Sequence, residues 1–199
     1  MNAPDRRVVL ASGNAGKQRE LAALLAPRGF TILLQTDLGI DSAEETGTTF
    51  EANALLKARH AAQRSGLAAL ADDSGLEVDA LGGRPGVRSA RYAGEAATDA
   101  QNNALLLREL AGVPEPRRSA RYRCVIAYVR AADDPEPLLA SGQWEGRIAL
   151  APRGSGGFGY DPIFIPEGEV MTAAEMSPAA KNAVSHRGRA LERLLGVLP

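Results

Sequence analysis

Leu67-Ala68-Ala69-Leu70-Ala71-Asp72-Asp73-Ser74-Gly75 reads as a short buried strand over residues 67–72 that runs into two adjacent carboxylates. Carboxylates at the end of a buried strand are costly unless water, hydrogen bonds or a cation compensates them. Successive strand side chains point to opposite faces, so Asp72 and Asp73 are expected to serve different tasks. One braces the turn and the other faces a cleft. Gly75 permits a sharp bend there, and Ser74 can cap it or donate to an anion. An ordinary hydrogen-bonded turn also uses these residue types, and the surrounding chain decides between the readings.

Upstream of this strand, residues 50–64 read as a long helix ending near Gly66. Phe50, Asn53, Ala54 and Lys57 share one of its faces. A lysine on a stripe that is otherwise apolar or amide-bearing suits a polar cleft better than open solvent. His60 and Arg64, on the neighbouring face, read as surface. Earlier still come a strand over 7–12, a helix over 16–26 with Leu21, Leu24 and Leu25 on its apolar side, a strand over 31–35 and a polar loop over 41–49.

Downstream, residues 77–94 are glycine-rich and expected to be irregular. Thr98 can cap a helix that runs to about residue 110. Residues 119–130 and 138–150 look like a long antiparallel pair, followed by a glycine-rich loop over 153–161 and a short strand over 162–165. Ser177 caps a helical segment that begins at Pro178, without a capping box because Ala180 stands where an acid would be. A last helix covers 186–195. Early alternation of strand and helix with a later hairpin argues for a mixed-sheet α/β protein. At 199 residues, without internal repeat or linker, the chain fits one large domain or two lobes around one cleft.

Acids and bases are well mixed, with a formal net charge of −1, which argues against a general nucleic-acid or membrane-surface binder. The single cysteine, Cys124, rules out an internal disulfide and reads as a buried core thiol. No apolar run approaches the roughly 18 residues of a membrane span. Residues 1–7 lack the apolar segment of a signal peptide, so a soluble cytoplasmic protein is expected.

Ser12-Gly13-Asn14-Ala15-Gly16-Lys17, between a strand and a helix, is a phosphate-binding arrangement in miniature. Loop amides and the helix N-terminus offer partial positive charge, and Lys17 could reach a phosphate. It is not the Gly-x-x-x-x-Gly-Lys-Ser/Thr loop, because Gly13 and Gly16 are too close and Gln18 follows the lysine. Glu44 and Glu45 lie in the polar loop, where a carboxylate near Asp73 would supply a second hard oxygen ligand for Mg²⁺. The histidines, His60 and His186, form no Cys/His cluster for zinc. In Gly154-Ser155-Gly156-Gly157-Phe158-Gly159-Tyr160-Asp161-Pro162, Phe158 offers a stacking face, Asp161 an acceptor and Tyr160 a phenol for a base. Lys181 and Ser185-His186-Arg187-Gly188 add cations, while Arg189 and Arg193 read as surface.

Taken together, these motifs resemble the inosine triphosphate pyrophosphatase family from about Val8 to Leu195. The carriers are residues 12–20, Phe50-Glu51-Ala52-Asn53-Ala54 with Lys57-Ala58, the run 71–81, Pro85-Gly86-Val87 with Ser89-Ala90-Arg91-Tyr92, residues 156–164, and Ser185-His186-Arg187-Gly188. Their fixed order makes the resemblance specific where each motif alone is not. It implies a single domain over 1–199: two α/β lobes around a long twisted mixed sheet, with the active site in the cleft between them, and a homodimer. It implies a Mg²⁺-dependent hydrolase that cleaves dITP, ITP or XTP to the monophosphate and pyrophosphate. By position, Ser12, Gly13, Asn14, Ala15, Gly16 and Lys17 would hold the triphosphate, joined by Asn53. Asp73 would accept a proton and bind metal, with Glu45 a second ligand and Lys57 a catalytic cation. Ser74, Phe158, Gly159, Tyr160, Asp161, Lys181, His186 and Arg187 would contact the nucleotide. Arg88 departs from the pattern, which more often has an aromatic residue before Ser89-Ala90-Arg91.

Other readings fit less well. A phosphatase with an aspartyl nucleophile would want Asp-x-Asp after the first strand, where this chain has Ser12-Gly13-Asn14. The septum-associated nucleotide pyrophosphatases share the implied architecture, but their motifs match less closely. A module that only senses nucleotides has no need of the Asp73, Lys57 and Lys17 set, because sensing requires no activated water.

Overall fold

A computed structural model describes residues 6–198 of the chain. Most of the N-terminal stretch read for a leader, residues 1–5, lies outside the described residues, as does Pro199. The strands are β1 (Arg7–Leu10), β2 (Thr31–Leu34), β3 (Ala69–Val78), β4 (Ser119–Val129), β5 (Leu138–Ile148) and β6 (Phe164–Pro166). They form one six-stranded sheet in the order β2-β1-β3-β4-β5-β6. β1 runs parallel to both neighbours, with Val9 opposite Leu33 of β2 and Ala69 of β3. β5 and β6 are antiparallel, with Arg147 opposite Ile165. The sheet is therefore mixed, as the alternation of elements predicts. Among the described residues, no helix is long and apolar enough to cross a membrane.

The chain divides into two compact units. Among the described residues, the first comprises those up to Asp73, Val125–Ser141 and those from Ala190 to Leu198. Val8, Val9 and Leu10 of β1 are wholly buried, with Leu21 and Leu25 of helix α1 (Ala15–Leu25). Helix α2 (Phe50–Ser65) starts at Thr49, whose hydroxyl accepts from Ala52 N, and stops at Gly66, whose φ of 69° is left-handed. Its buried stripe is Phe50, Asn53, Ala54, Ala58, Ala61 and Ala62, and the four alanines let the helix approach its neighbours closely.

The second unit comprises Ser74–Cys124 and Gly142–Arg189. Its core gathers Leu76, Val78, Leu106, Leu110, Tyr122, Trp144, Ile148, Ile163 and Phe164. Helix α3 (Asp99–Glu109) opens with a capping box between Thr98 and Gln101, a glutamine where the motif allows Glu or Gln. Helix α4 (Pro178–Val184) is capped by the Ser177 side chain, which accepts from Ala180 N. Helix α5 covers His186–Leu195 as expected. Residues 79–81 and 86–91 form short 3-10 turns where irregular chain is expected. Cys124 is buried.

The first strand stops at Leu10, short of residue 12, and residues 161–163 form a 3-10 turn before β6, where a strand is expected from 162. The larger difference is in β3. The strand does not end at Asp72, and Gly75 makes no sharp bend: β3 continues to Val78. Leu76 and Val78 are fully buried core residues, so the chain stays extended to bury them. Asp72 and Asp73 are thus mid-strand residues, held on opposite faces by the pleat.

Candidate active site

The first unit collects one group of polar side chains. Asp73 is 4% exposed. Its Oδ1 accepts from Lys57 Nζ at 3.0 Å and its Oδ2 from Asn53 Nδ2 at 3.2 Å. Asn53 and Lys57 are one turn apart on α2, so a single helix face supplies both donors. The same Lys57 ammonium donates to Glu45 Oε1 at 2.8 Å. Of the two loop glutamates, it is therefore Glu45 that joins the group, while Glu44 is exposed. Gly47 N donates to Asn53 Oδ1 at 2.8 Å, which ties the loop to α2 and sets the orientation of the amide.

Burial pushes the Asp73 carboxyl up, and the nearby ammonium groups of Lys57 and Lys17 offset this only in part. Burial acts to lower Lys57, but the carboxylates of Asp73, Asp72 and Glu45 outweigh it and hold the ammonium above its ordinary value. Lys57 is not a solvated surface lysine.

On the opposite face of β3, Asp72 Oδ2 forms an ion pair with Lys17 Nζ at 3.0 Å, and its side chain is fully buried. Asp72 thus fixes the lysine of the strand-to-helix loop. That loop is already internally bonded. Asn14 caps α1 by accepting from Gly16 N at 2.9 Å and Lys17 N at 3.1 Å, and Asn14 N donates to Ser12 Oγ at 3.2 Å. An anion using these amides must replace the Asn14 oxygen. Gly13, Asn14 and Ala15 are exposed and Ser12 is buried.

The second unit collects the other group, around the loop over 154–161. Asp161 is its hub. Its Oδ2 accepts from Lys181 Nζ at 2.6 Å and from Phe158 N at 2.9 Å, and its Oδ1 accepts from Tyr122 Oη at 3.4 Å. Gly157 is required here: φ is 72°, and a Cβ would lie 2.0 Å from Asp161 Oδ2. The half-buried Phe158 ring has Lys181 Nζ at 4.8 Å and the Arg187 guanidinium carbon at 5.6 Å from its centroid. Arg187 is buried and donates from Nη2 to Ser74 Oγ at 3.1 Å. His186 is buried and stacks on Tyr122, centroids 4.6 Å apart and planes 6° from parallel.

Two of the expected nucleotide contacts also bond within the protein. The Tyr160 phenol is buried and donates to Ser89 O at 2.8 Å, so it anchors the loop and does not present its hydroxyl to a base. The Asp161 carboxylate is engaged by Lys181, Phe158 N and Tyr122, so it organises the loop. Residues that sequence reading passes over are Asp72 as the anchor of Lys17, and Tyr122, the buried partner of both Asp161 and His186. The alternation of Tyr122 within an apolar strand gives no hint of this, because core strands carry tyrosine routinely.

The chain matches the model of the Ham1 family over residues 8–197. It is 60% identical over 193 residues to a dITP/XTP pyrophosphatase of Shigella flexneri, covering 97% of this chain and 98% of that protein. Among solved structures it is similar to a HAM1 protein from Coxiella burnetii, at TM-score 0.88 and 50% identity, covering 96% of this chain and 97% of the other. The Staphylococcus aureus Ham1 protein is similar at TM-score 0.83 and 38% identity, covering 96% of each chain.

Proposed function

The chain belongs to the Ham1 family, and from that membership we propose how its residues act. It is a nucleoside triphosphate pyrophosphatase, a hydrolase of dITP and XTP that cleanses the nucleotide pool, as its close relatives are named. We assign the phosphate end of the substrate to Ser12, Gly13, Asn14, Ala15, Gly16, Lys17 and Asn53, and the base end to Ser74, Phe158, Gly159, Lys181, His186 and Arg187. Treating residues 1–199 as one functional domain, homodimeric and cytoplasmic, belongs to the same proposal.

The observation that carries it is the Glu45–Lys57–Asp73 group. Both carboxylates reach the Lys57 ammonium, at 2.8 and 3.0 Å, so they are close enough to share a cation. Among the described residues, no cluster of three or more His, Cys, Asp or Glu is arranged to hold a metal. Two carboxylate donors suit Mg²⁺, which is commonly held by one or two carboxylates together with substrate phosphates. Asp73 and Glu45 would hold it, and when bound it supplies charge neutralisation to the phosphate oxygens. Asp73 orients water and takes its proton as the water attacks the α-phosphorus. Lys57 and Lys17 meet the negative charge that develops as pyrophosphate leaves.

In isotope-labelled water, dITP or XTP should yield a labelled monophosphate and unlabelled pyrophosphate on anion-exchange analysis. Removing divalent metal with a chelator should stop turnover, and Mg²⁺ should restore it. Orthophosphate and a diphosphate as first products would overturn the reading.

Base choice has its own test. Hypoxanthine and xanthine carry an oxygen at C6 where adenine carries an amine. A cationic donor such as Arg187 satisfies the oxygen and leaves the amine unaccepted, a mismatch of about 1–3 kcal/mol for each buried group. Arg187→Ala should therefore narrow the ITP-to-ATP ratio of kcat/KM by about tenfold. An unchanged ratio would move base choice to the backbone of residues 154–161.

A further inference from the structure

Helix α3 carries no residue of either group above, yet it grips the glycine-rich loop at both polar atoms of one residue. Asp99 Oδ2 accepts from Gly159 N at 2.6 Å, and Asn103 Nδ2 donates to Gly159 O at 3.0 Å. The i, i+4 spacing puts the two side chains on one face of the helix. Asp99 is the first residue of α3, inside the Thr98–Gln101 capping box, so the helix start fixes where its carboxylate lies.

Asn103 is 6% exposed, and its Oδ1 is buried without a protein hydrogen-bond donor. Its neighbour Asn102 contrasts with it: Asn102 Oδ1 accepts from Ala93 N at 2.8 Å and Nδ2 donates to Ala90 O at 3.1 Å. A half-satisfied buried amide is costly relative to a fully bonded one. A residue serving the core alone would be better apolar. The feature that Asn103 offers and an apolar residue lacks is its donor to Gly159 O.

Gly159 itself sits at φ 63°, and it follows Phe158, the ring flanked by Lys181 and Arg187. A shift of the Gly159 backbone moves that ring. We propose that Asp99 and Asn103 are positioning residues for base selection: they clamp Gly159 and so hold Phe158, and with it the Arg187 guanidinium packed over its ring, in register with the purine. The inference rests on the nucleotide reading of this loop.

The test uses the full chain and steady-state kinetics with ITP and ATP, beside thermal melting. Asp99→Ala and Asn103→Ala should each lower the ITP-to-ATP ratio of kcat/KM by about tenfold, the scale of one hydrogen bond to a held group. The loss should appear mainly as a raised KM for ITP. Asp99→Asn keeps an acceptor for Gly159 N and should retain most of the ratio. Asn103→Asp is isosteric but sets a carboxylate oxygen against Gly159 O, so it should do no better than Asn103→Ala. A folded Asp99→Ala with an unaltered ratio overturns the clamp. Asp99 is exposed, so this variant decides the matter even if Asn103→Ala does not fold. The wild type is measured first: an absence of ITP preference there overturns the nucleotide reading itself, whereas preference in the wild type that survives Asp99→Ala overturns only the clamp.

Discussion

Asp73→Asn should fold and lose turnover by about 10²-fold or more, the scale expected when a positioned general base is removed. The substitution preserves size and leaves an oxygen for Lys57, which also keeps its bond to Glu45. On the other side it sets an amide NH₂ against Asn53 Nδ2, the present donor to Asp73 Oδ2. Asn53 cannot simply flip its amide, because its Oδ1 accepts from Gly47 N. A stability loss of about 1 kcal/mol is expected from that donor clash. It is too small to unfold a typical domain, so melting and turnover should separate. The effect on kcat should exceed that on KM, since proton acceptance is needed only in the transition state. Near-normal turnover would remove Asp73 from the mechanism and leave the carboxylate with a structural task alone.

Asp161→Ala should be the most destabilising change in the second unit. The side chains of Lys181 and Asp161 are 5% and 2% exposed, and the ammonium loses this carboxylate at 2.6 Å. Breaking a buried pair from one side costs about 3–5 kcal/mol, because the remaining charge stays desolvated. Phe158 N and Tyr122 Oη lose their acceptor at the same time. Urea unfolding should show the loss as a lower midpoint. The double variant Asp161→Leu with Lys181→Met should recover part of it, because no charge is then stranded. A single-variant loss below about 1 kcal/mol would mean that the pair is solvated in solution and that the loop is held by other contacts.

Much of this protein was legible in local sequence. Helix ends follow from residues a few positions apart: Thr49 and Gly66 around α2, Thr98 with Gln101 at the start of α3, and Ser177 before α4. Lys57 was legible as a cation turned away from open solvent because its helix stripe is otherwise apolar or amide-bearing, and periodicity alone shows that. The ordered motifs likewise identified the family. The length of β3 was not legible, because Ser74 and Gly75 look like a turn until Leu76 and Val78 are seen to enter a core made by distant strands.

The sequence by itself determined the α/β class, the order of elements and the residue types available for phosphate and base chemistry, because those depend on short-range periodicity and capping. Only the tertiary structure decided what each side chain does. It chose Glu45 over Glu44 as the partner of Lys57, gave Asp72 to Lys17 and Asp73 to Lys57, and turned the Tyr160 phenol inward to Ser89. It also made Asp161 a hub for Lys181 and Tyr122, and enlisted Asp99 and Asn103 to hold Gly159. Each of these choices pairs groups at least a dozen residues apart in sequence. Whether a buried polar atom finds its partner depends on which chain segments packing brings together, and no local pattern encodes that.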